Sequence, residues 1–183
     1  MTSTPRKRAD ASVPDISVIV PVLNEAGNIR PLIDEICDAF SGRDFEIIYV
    51  DDASTDDGPA ELEQAIRDIP QLRVLRHERR AGQSAAIRSA LGVARGDLVG
   101  VLDGDGQNDP ADLPDMLEKA WAAEGEAPLV AGTRVRRNDP VSRLVATRIA
   151  NGFRAAVLGD HCPDTGCGVK VFPREAFLML PCF

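Results

Sequence analysis

The sequence predicts an α/β domain whose mostly parallel central sheet is flanked by helices on both faces. Three observations carry that expectation. Short, β-branched apolar runs alternate with helical patterns of about a dozen residues, the arrangement that right-handed crossovers between parallel strands produce. The runs are nearly continuous in apolar residues, as strands covered on both faces are. Two of them end in acidic turns, Asp51-Asp52 and Asp103-Gly-Asp105, where an α/β sheet presents residues to a ligand rather than to its core.

Taken in order, Ile16 to Pro21 reads as the first strand, stopped by proline. A polar loop, Asn24 to Asn28, precedes a helix in which Ile29, Leu32, Ile33, Ile36 and Phe40 share a face, with Asn28 as N-cap and Pro31 in the first turn. Phe45 to Val50 is the second strand and feeds an acidic loop and a helix near 59–67. Leu72 to Arg76 is a weaker third strand. The helix at 83–94 follows, its small residues Ala85, Ala86, Ala90 and Ala94 allowing close packing on a sheet. Leu98 to Leu102 is the fourth strand, 112–123 the next helix, and Leu129 to Thr133 the fifth strand. Asp56 and Asp112 are expected to cap the helices that follow them.

The pattern changes from Arg134 onward. Six arginines (134, 136, 137, 143, 148 and 154) face one acid, Asp139, while Val141, Leu144, Val145, Ile149, Phe153 and Val157 form an apolar stripe. Such a basic amphipathic helix either lies in a membrane interface or packs on the sheet with a solvated cationic face. A Gly-rich loop from Asp164, a strand ending near Phe172 and a helix at 174–180 complete the chain.

The 183 residues, 44% hydrophobic and 27% charged, suit one domain, residues 15–183, behind a basic disordered tail, residues 1–14. The tail lacks the apolar core of a signal peptide, and no apolar run approaches the roughly 18 residues of a membrane span. A net charge of −8 argues against nucleic-acid binding. Four cysteines without a Cys-x-x-Cys pair suit a reducing cytoplasm, and His161, Cys162 and Cys167 lack a fourth zinc ligand.

Asp103 and Asp105, one residue apart after an apolar strand, suit a hard cation. Mg²⁺ or Mn²⁺ commonly takes one or two carboxylates and completes its shell with water and substrate phosphates. Gly104 and Gly106 let the chain turn tightly there, and Gln107 offers a further oxygen. No phosphate-loop motif, no Gly-x-Gly-x-x-Gly at the first helix, no EF-hand spacing and no Gly-x-Ser-x-Gly elbow is present. Asp-x-Asp after a strand also resembles haloacid-dehalogenase phosphatases, in which the first aspartate is a nucleophile. In those enzymes the motif ends the first strand, whereas three strands precede it here.

Six stretches in order resemble one family: Ile19-Val-Pro-Val-Leu-Asn-Glu25, Val50-Asp-Asp-Ala-Ser-Thr-Asp56, Gly82-Gln-Ser-Ala-Ala86, Asp103-Gly-Asp-Gly-Gln107, Gly132-Thr-Arg134 and Asp164-Thr-Gly-Cys-Gly168. Over residues 16–183 the chain is similar to family 2 glycosyltransferases of the GT-A fold, in the polyprenyl (dolichyl) phosphate mannosyltransferase-like branch. The resemblance implies a Rossmann-like nucleotide-sugar-binding fold. It places Pro21, Val22, Asn24, Glu25, Asp52, Ser54, Gly82, Asp103 and Gly104 around the nucleotide. It puts Mg²⁺ or Mn²⁺ on Asp103, Asp105 and Gln107, and assigns Arg134, Arg143 and Arg148 to the acceptor phosphate. Asp103, Asp105, Arg134 and Asp164 are the implied catalytic residues, Asp164 acting as a base or as a sugar ligand.

The implied reaction is inverting transfer of a hexose, mannose or glucose, from GDP-mannose, UDP-glucose or a relative to polyprenyl phosphate. The amphipathic helix then becomes a peripheral contact with the cytoplasmic membrane face. This chain has Asp-Gly-Asp-Gly-Gln where the family usually has Asp-Ala-Asp-Leu-Gln, which loosens the loop and keeps the ligands. Family catalytic domains continue past the position of Phe183, so a C-terminally incomplete domain is expected. A non-catalytic nucleotide-sugar-binding remnant is the accompanying alternative.

Overall fold

Residues alternate between two buried faces along β1 (Ile16–Val22) and β2 (Phe45–Asp51), and both strands are buried from end to end. The structure, a computed structural model, describes residues 13–123, 128–132 and 167–180. Ile16, Val18, Val20, Ile47 and Tyr49 enter one apolar cluster, while Ile19, Ile48 and Val50 enter the other. Period-two alternation thus divides the core into layers above and below the sheet.

Helices cover each layer according to their apolar stripes. α1 (Ile29–Ala39), α2 (Gly58–Asp68) and α4 (Asp112–Ala122) bury Leu32, Leu62 and Leu113 in the first cluster. α3 (Gln83–Val93) buries Ala86, Ala90 and Leu91 in the second. The small side chains at 86 and 90 bring α3 down onto the strands. Ala94 is buried just beyond its end, whereas Ala85 is only half-buried.

The remaining strands are β3 (Leu72–Arg76), β4 (Leu98–Val101), β5 (Val130–Ala131) and β6 (Lys170–Pro173), followed by the short helix α5 (Arg174–Leu178). Sheet order is β3-β2-β1-β4-β6-β5. The first four strands pair in parallel, as expected. β6 runs antiparallel to both β4 and β5, so the sheet is mixed. Apolar patterning specifies burial and face but not the direction in which an outer strand joins its neighbour. The fifth strand is also shorter than the expected 129–133.

Asp57, not Asp56, is the N-cap of α2 and makes no side-chain capping bond; Asp56 stands one residue earlier, its Oδ1 accepting the Gly58 N–H at 3.0 Å. Asp112 instead occupies the first turn of α4, where its charge favours the helix dipole, and Asp109 accepts the Ala111 N–H at 2.9 Å. Asn28 precedes α1 without a side-chain capping bond.

The amino-terminal edge of the sheet is closed by a buried acid, Glu46. Glu46 Oε1 accepts from the Ser17 hydroxyl at 2.7 Å and the Arg95 backbone N–H at 2.6 Å. Its Oε2 accepts from Arg95 Nε at 2.9 Å and Arg73 Nη1 at 3.2 Å. Burial pushes this carboxyl's pKa up, but the donors together outweigh burial and hold it below the usual value of 4.5.

Candidate functional site

The opposite edge contains the switch point. β1 leads outward to β2 on one side, while β4 lies on its other side, so the loops after β1 and β4 diverge and leave a crevice beyond their carboxyl ends. A cleft of about 300 Å³ occupies it. Of the residues expected around a nucleotide, Pro21, Val22, Glu25, Asp52, Gly82, Asp103 and Gly104 line this cleft, and Asp105 joins them.

Asn24 and Ser54 are not among the lining residues; they stitch the cleft's outer loops together. Asn24 N–H donates to Ser54 Oγ at 2.9 Å, and Asn24 Oδ1 accepts the Thr55 N–H at 2.8 Å. Ala26 N–H donates to Asp56 Oδ2 at 2.9 Å, and Gly27 N–H to Glu61 Oε1 at 2.8 Å. Asn24 takes a left-handed φ of 58°, which asparagine tolerates better than most residues. The β1 loop is therefore clamped onto the β2 loop, and Glu25 is carried at its tip.

The paired acids after β2 divide their work. Asp51 Oδ1 accepts the Ser54 N–H at 2.8 Å, and its Oδ2 sits 3.1 Å from Arg76 Nε, an ion pair not aligned as a hydrogen bond. Asp52, 4% exposed, turns to the cleft. It accepts the backbone N–H groups of Ala81 at 2.8 Å and Gly82 at 2.7 Å, and approaches His77 Nδ1 at 2.7 Å. His77 Nε2 lies 2.9 Å from the Ser89 hydroxyl. With a carboxylate as acceptor, Nδ1 carries the proton and Nε2 accepts from Ser89. Burial raises the Asp52 pKa, but His77 and the two amides lower it further, leaving it below its usual 3.8. Asp52 thereby fixes the turn that starts α3, whose first residues border the cleft.

Asp103 stands where β4 ends. Its Oδ1 accepts from Gln83 Nε2 at 2.8 Å, and its Oδ2 lies 3.4 Å from Asn108 Nδ2. Asp105 Oδ1 accepts the Gln107 backbone N–H at 3.0 Å, while Gln107 itself is exposed. Gly168, arriving on the chain before β6, abuts this group: a Cβ there would overlap the Asp103 carboxylate. Gly104 is constrained similarly, since a Cβ would overlap Val22 and come within 3.1 Å of the Pro21 carbonyl. Both close approaches let three strands converge on the acidic turn.

Among the described residues no group of three His, Cys, Asp or Glu side chains is placed to hold a metal. Two carboxylates on one wall, bonded only to neutral amides, instead fit a cation that completes its shell with water and ligand phosphate. Mg²⁺ and Mn²⁺ suit that oxygen-only donor set. Arg134, Arg143, Arg148, Asp164 and the 141–157 helix lie outside the described residues.

Leu23, Arg80, Gln83 and Ala86 also line the cleft and were not expected there. For Gln83 and Ala86 the signal was at hand, because both lie in Gly82-Gln-Ser-Ala-Ala86. His77 gave none, as its partner Asp52 lies 25 residues away.

The family model described as Glycosyl transferase family 2 matches residues 17–178. The chain belongs to that family. Among curated relatives of this chain, a dodecaprenyl-phosphate galacturonate synthase of Rhizobium johnstonii is 32% identical over 162 residues, covering 86% of this chain and 47% of that protein. An undecaprenyl-phosphate 4-deoxy-4-formamido-L-arabinose transferase of Pseudomonas aeruginosa is 36% identical over 172 residues, covering 91% and 50%. The chain thus spans about half the length of the curated relatives it matches.

Among solved structures, a mannosyltransferase of Pyrobaculum calidifontis in complex with GDP-Man and Mn²⁺ superposes with TM-score 0.70 at 26% identity, covering 93% of this chain and 48% of that one. Glucosyl-3-phosphoglycerate synthase of Mycobacterium tuberculosis, in complex with Mn²⁺, UDP and phosphoglyceric acid, gives 0.72 at 26%, covering 92% and 58%. The mixed sheet flanked by helices is the GT-A fold that the motifs implied. Family membership leaves the aspartate-nucleophile phosphatase reading without support.

Proposed function

We propose that this glycosyltransferase is an inverting, metal-dependent enzyme that moves a hexose from a GDP- or UDP-sugar to polyprenyl phosphate at the membrane surface. The observation that supports this most is the placement of Asp103 and Asp105 on the wall of a cleft at the sheet's switch point. Leu23, Pro21 and Val22 supply an apolar wall for a nucleoside, and Glu25 and Asp52 supply acceptors at its rim. Asp103, Asp105 and, by the family resemblance, Gln107 would hold Mg²⁺ or Mn²⁺. A cation there offsets the charge that develops on a departing nucleoside diphosphate.

The remaining work falls to the chain's own groups. Gln83 holds one Asp103 oxygen, and Gly168 leaves room for the other. The Asp52 hydrogen bonds fix the Ala81–Gly82 turn beside the diphosphate position. An acceptor phosphate is already ionised near neutral pH, so positioning rather than deprotonation limits its attack. Arg134, Arg143 and Arg148 are proposed to position it through bidentate contacts, with Asp164 as base or sugar ligand. Among the described residues no helix is long and apolar enough to cross a membrane. We assign contact with the cytoplasmic membrane face to the basic amphipathic helix that the sequence predicts over 141–157.

The curated relatives named for galacturonate and formamido-arabinose transfer widen the donors worth testing. Incubation with Mn²⁺, undecaprenyl phosphate and a panel of UDP- and GDP-sugars should yield a lipid-linked sugar from one donor. Calorimetric binding of a nucleotide sugar without turnover would favour the non-catalytic reading. Absence of both binding and transfer would overturn the proposal.

A further inference from the structure

A second cavity, about 410 Å³, lies behind Asp103 on the α3 face of the sheet. It shares only Gln83 and Asp103 with the nucleotide cleft, so the acidic turn forms a partition between the two spaces. Its floor is apolar: Ile87 from α3, Val101 from β4, and Phe172 with Phe177, whose rings stack at 5.3 Å.

Among its described lining residues, Lys170 is the one cation. Lys170 opposes Val101 across the antiparallel β4–β6 pair, and its ammonium donates to the Cys167 carbonyl. That is the one hydrogen-bond partner Lys170 has among the described residues, and none of the ion pairs among them includes it. A lysine carries three donors, and two of them are uncommitted among the described residues. Three nearby arginines are by contrast paired with acids, Arg73 and Arg95 with Glu46 and Arg76 with Asp51.

A cation beside an apolar floor matches an anionic headgroup joined to a hydrocarbon. Position narrows this further, because the cavity adjoins Asp103 on the side away from the nucleotide cleft. A cation there would attract an acceptor phosphate arriving beside the acidic turn.

We propose that this cavity is the acceptor subsite: Lys170 receives the phosphate of the prenyl phosphate, and the Phe172–Phe177 pair with Ile87 and Val101 takes the first part of its chain. The inference rests on the reading that a prenyl phosphate is the acceptor, and it adds a place and a residue to that reading. Lys170 acts by binding and orienting the acceptor; the bond that forms joins a phosphate oxygen to the anomeric carbon as the nucleoside diphosphate leaves.

The test is calorimetric titration of farnesyl phosphate, farnesol and inorganic phosphate into the full chain and into Lys170→Gln and Lys170→Arg. The wild type should bind farnesyl phosphate more tightly than either fragment. K170Q should lose about tenfold, the size of one charge-assisted hydrogen bond, and K170R should recover most of it. UDP or GDP binding, read in the same samples, should be unchanged and reports that the variants are folded. Equal farnesyl phosphate binding by wild type and K170Q, or none by wild type, overturns the subsite. Binding that depends on Lys170 without any sugar transfer would leave the subsite standing and sink the catalytic reading instead.

Discussion

The two edges of this sheet use acids in opposite ways. At the amino-terminal edge Glu46 has four donors on its two oxygens, two arginines among the contributors, and no accessible surface. At the carboxyl-terminal edge Asp103 and Asp105 accept from neutral amides alone and border open space. A carboxylate whose lone pairs are filled by fixed cations holds strands together; one left without a cation is available to a ligand. Asp52 lies between these extremes, with three donors holding it while it still faces the cleft.

That contrast can be broken from either side. The largest effect is expected for Asp103→Asn, which should lower sugar transfer by on the order of 100- to 1,000-fold while the thermal midpoint stays within a degree or two of wild type. A loss of stability comparable to that of a core variant would mean that Asp103 is structural after all. Glu46→Ala should do the reverse. Urea titration should show a destabilisation of about 2–3 kcal/mol, less than for a fully buried pair because both arginines reach water, with nucleotide affinity unchanged.

Gly168→Ala sharpens the carboxyl-edge side. The added methyl must displace the Asp103 carboxylate, so kcat should fall by roughly tenfold or more, with little change in the urea midpoint. A smaller effect is expected from pH. Glu46 and Asp52 have folded pKa values below their ordinary 4.5 and 3.8, so the native state binds fewer protons than the unfolded chain as pH falls. Their contribution is complete above those ordinary values and is lost as pH drops through the folded ones. Acid unfolding of Glu46→Gln should therefore be shallower below about pH 4.5 than that of wild type.

Much of the fold was legible because periodicity reports burial. The apolar run Ile16 to Val20 and the stripe Ile29, Leu32, Ile33 and Ile36 need no partner to be recognised. The direction of β6 was not legible, since Lys170 to Pro173 would read the same in either sense. Within the site, Asp103 and Asp105 declared themselves by standing one residue apart after a strand. The roles of Asn24 and Ser54 did not, because they arise from bonds between loops 30 residues apart. Glu46 was opaque for the same reason: its partners Ser17, Arg73 and Arg95 are distant in sequence, and a lone acid in a strand looks like a solvent-facing one.

Calorimetric titration of UDP and GDP, each with and without Mn²⁺, into wild type and Asp103→Asn tests the central contrast most directly. Mn²⁺ should tighten binding of one nucleotide to wild type and leave its affinity for Asp103→Asn unchanged. Metal-independent binding by wild type, or an equal Mn²⁺ effect in the variant, would contradict the assignment of the carboxyl-edge aspartates to a ligand-borne cation.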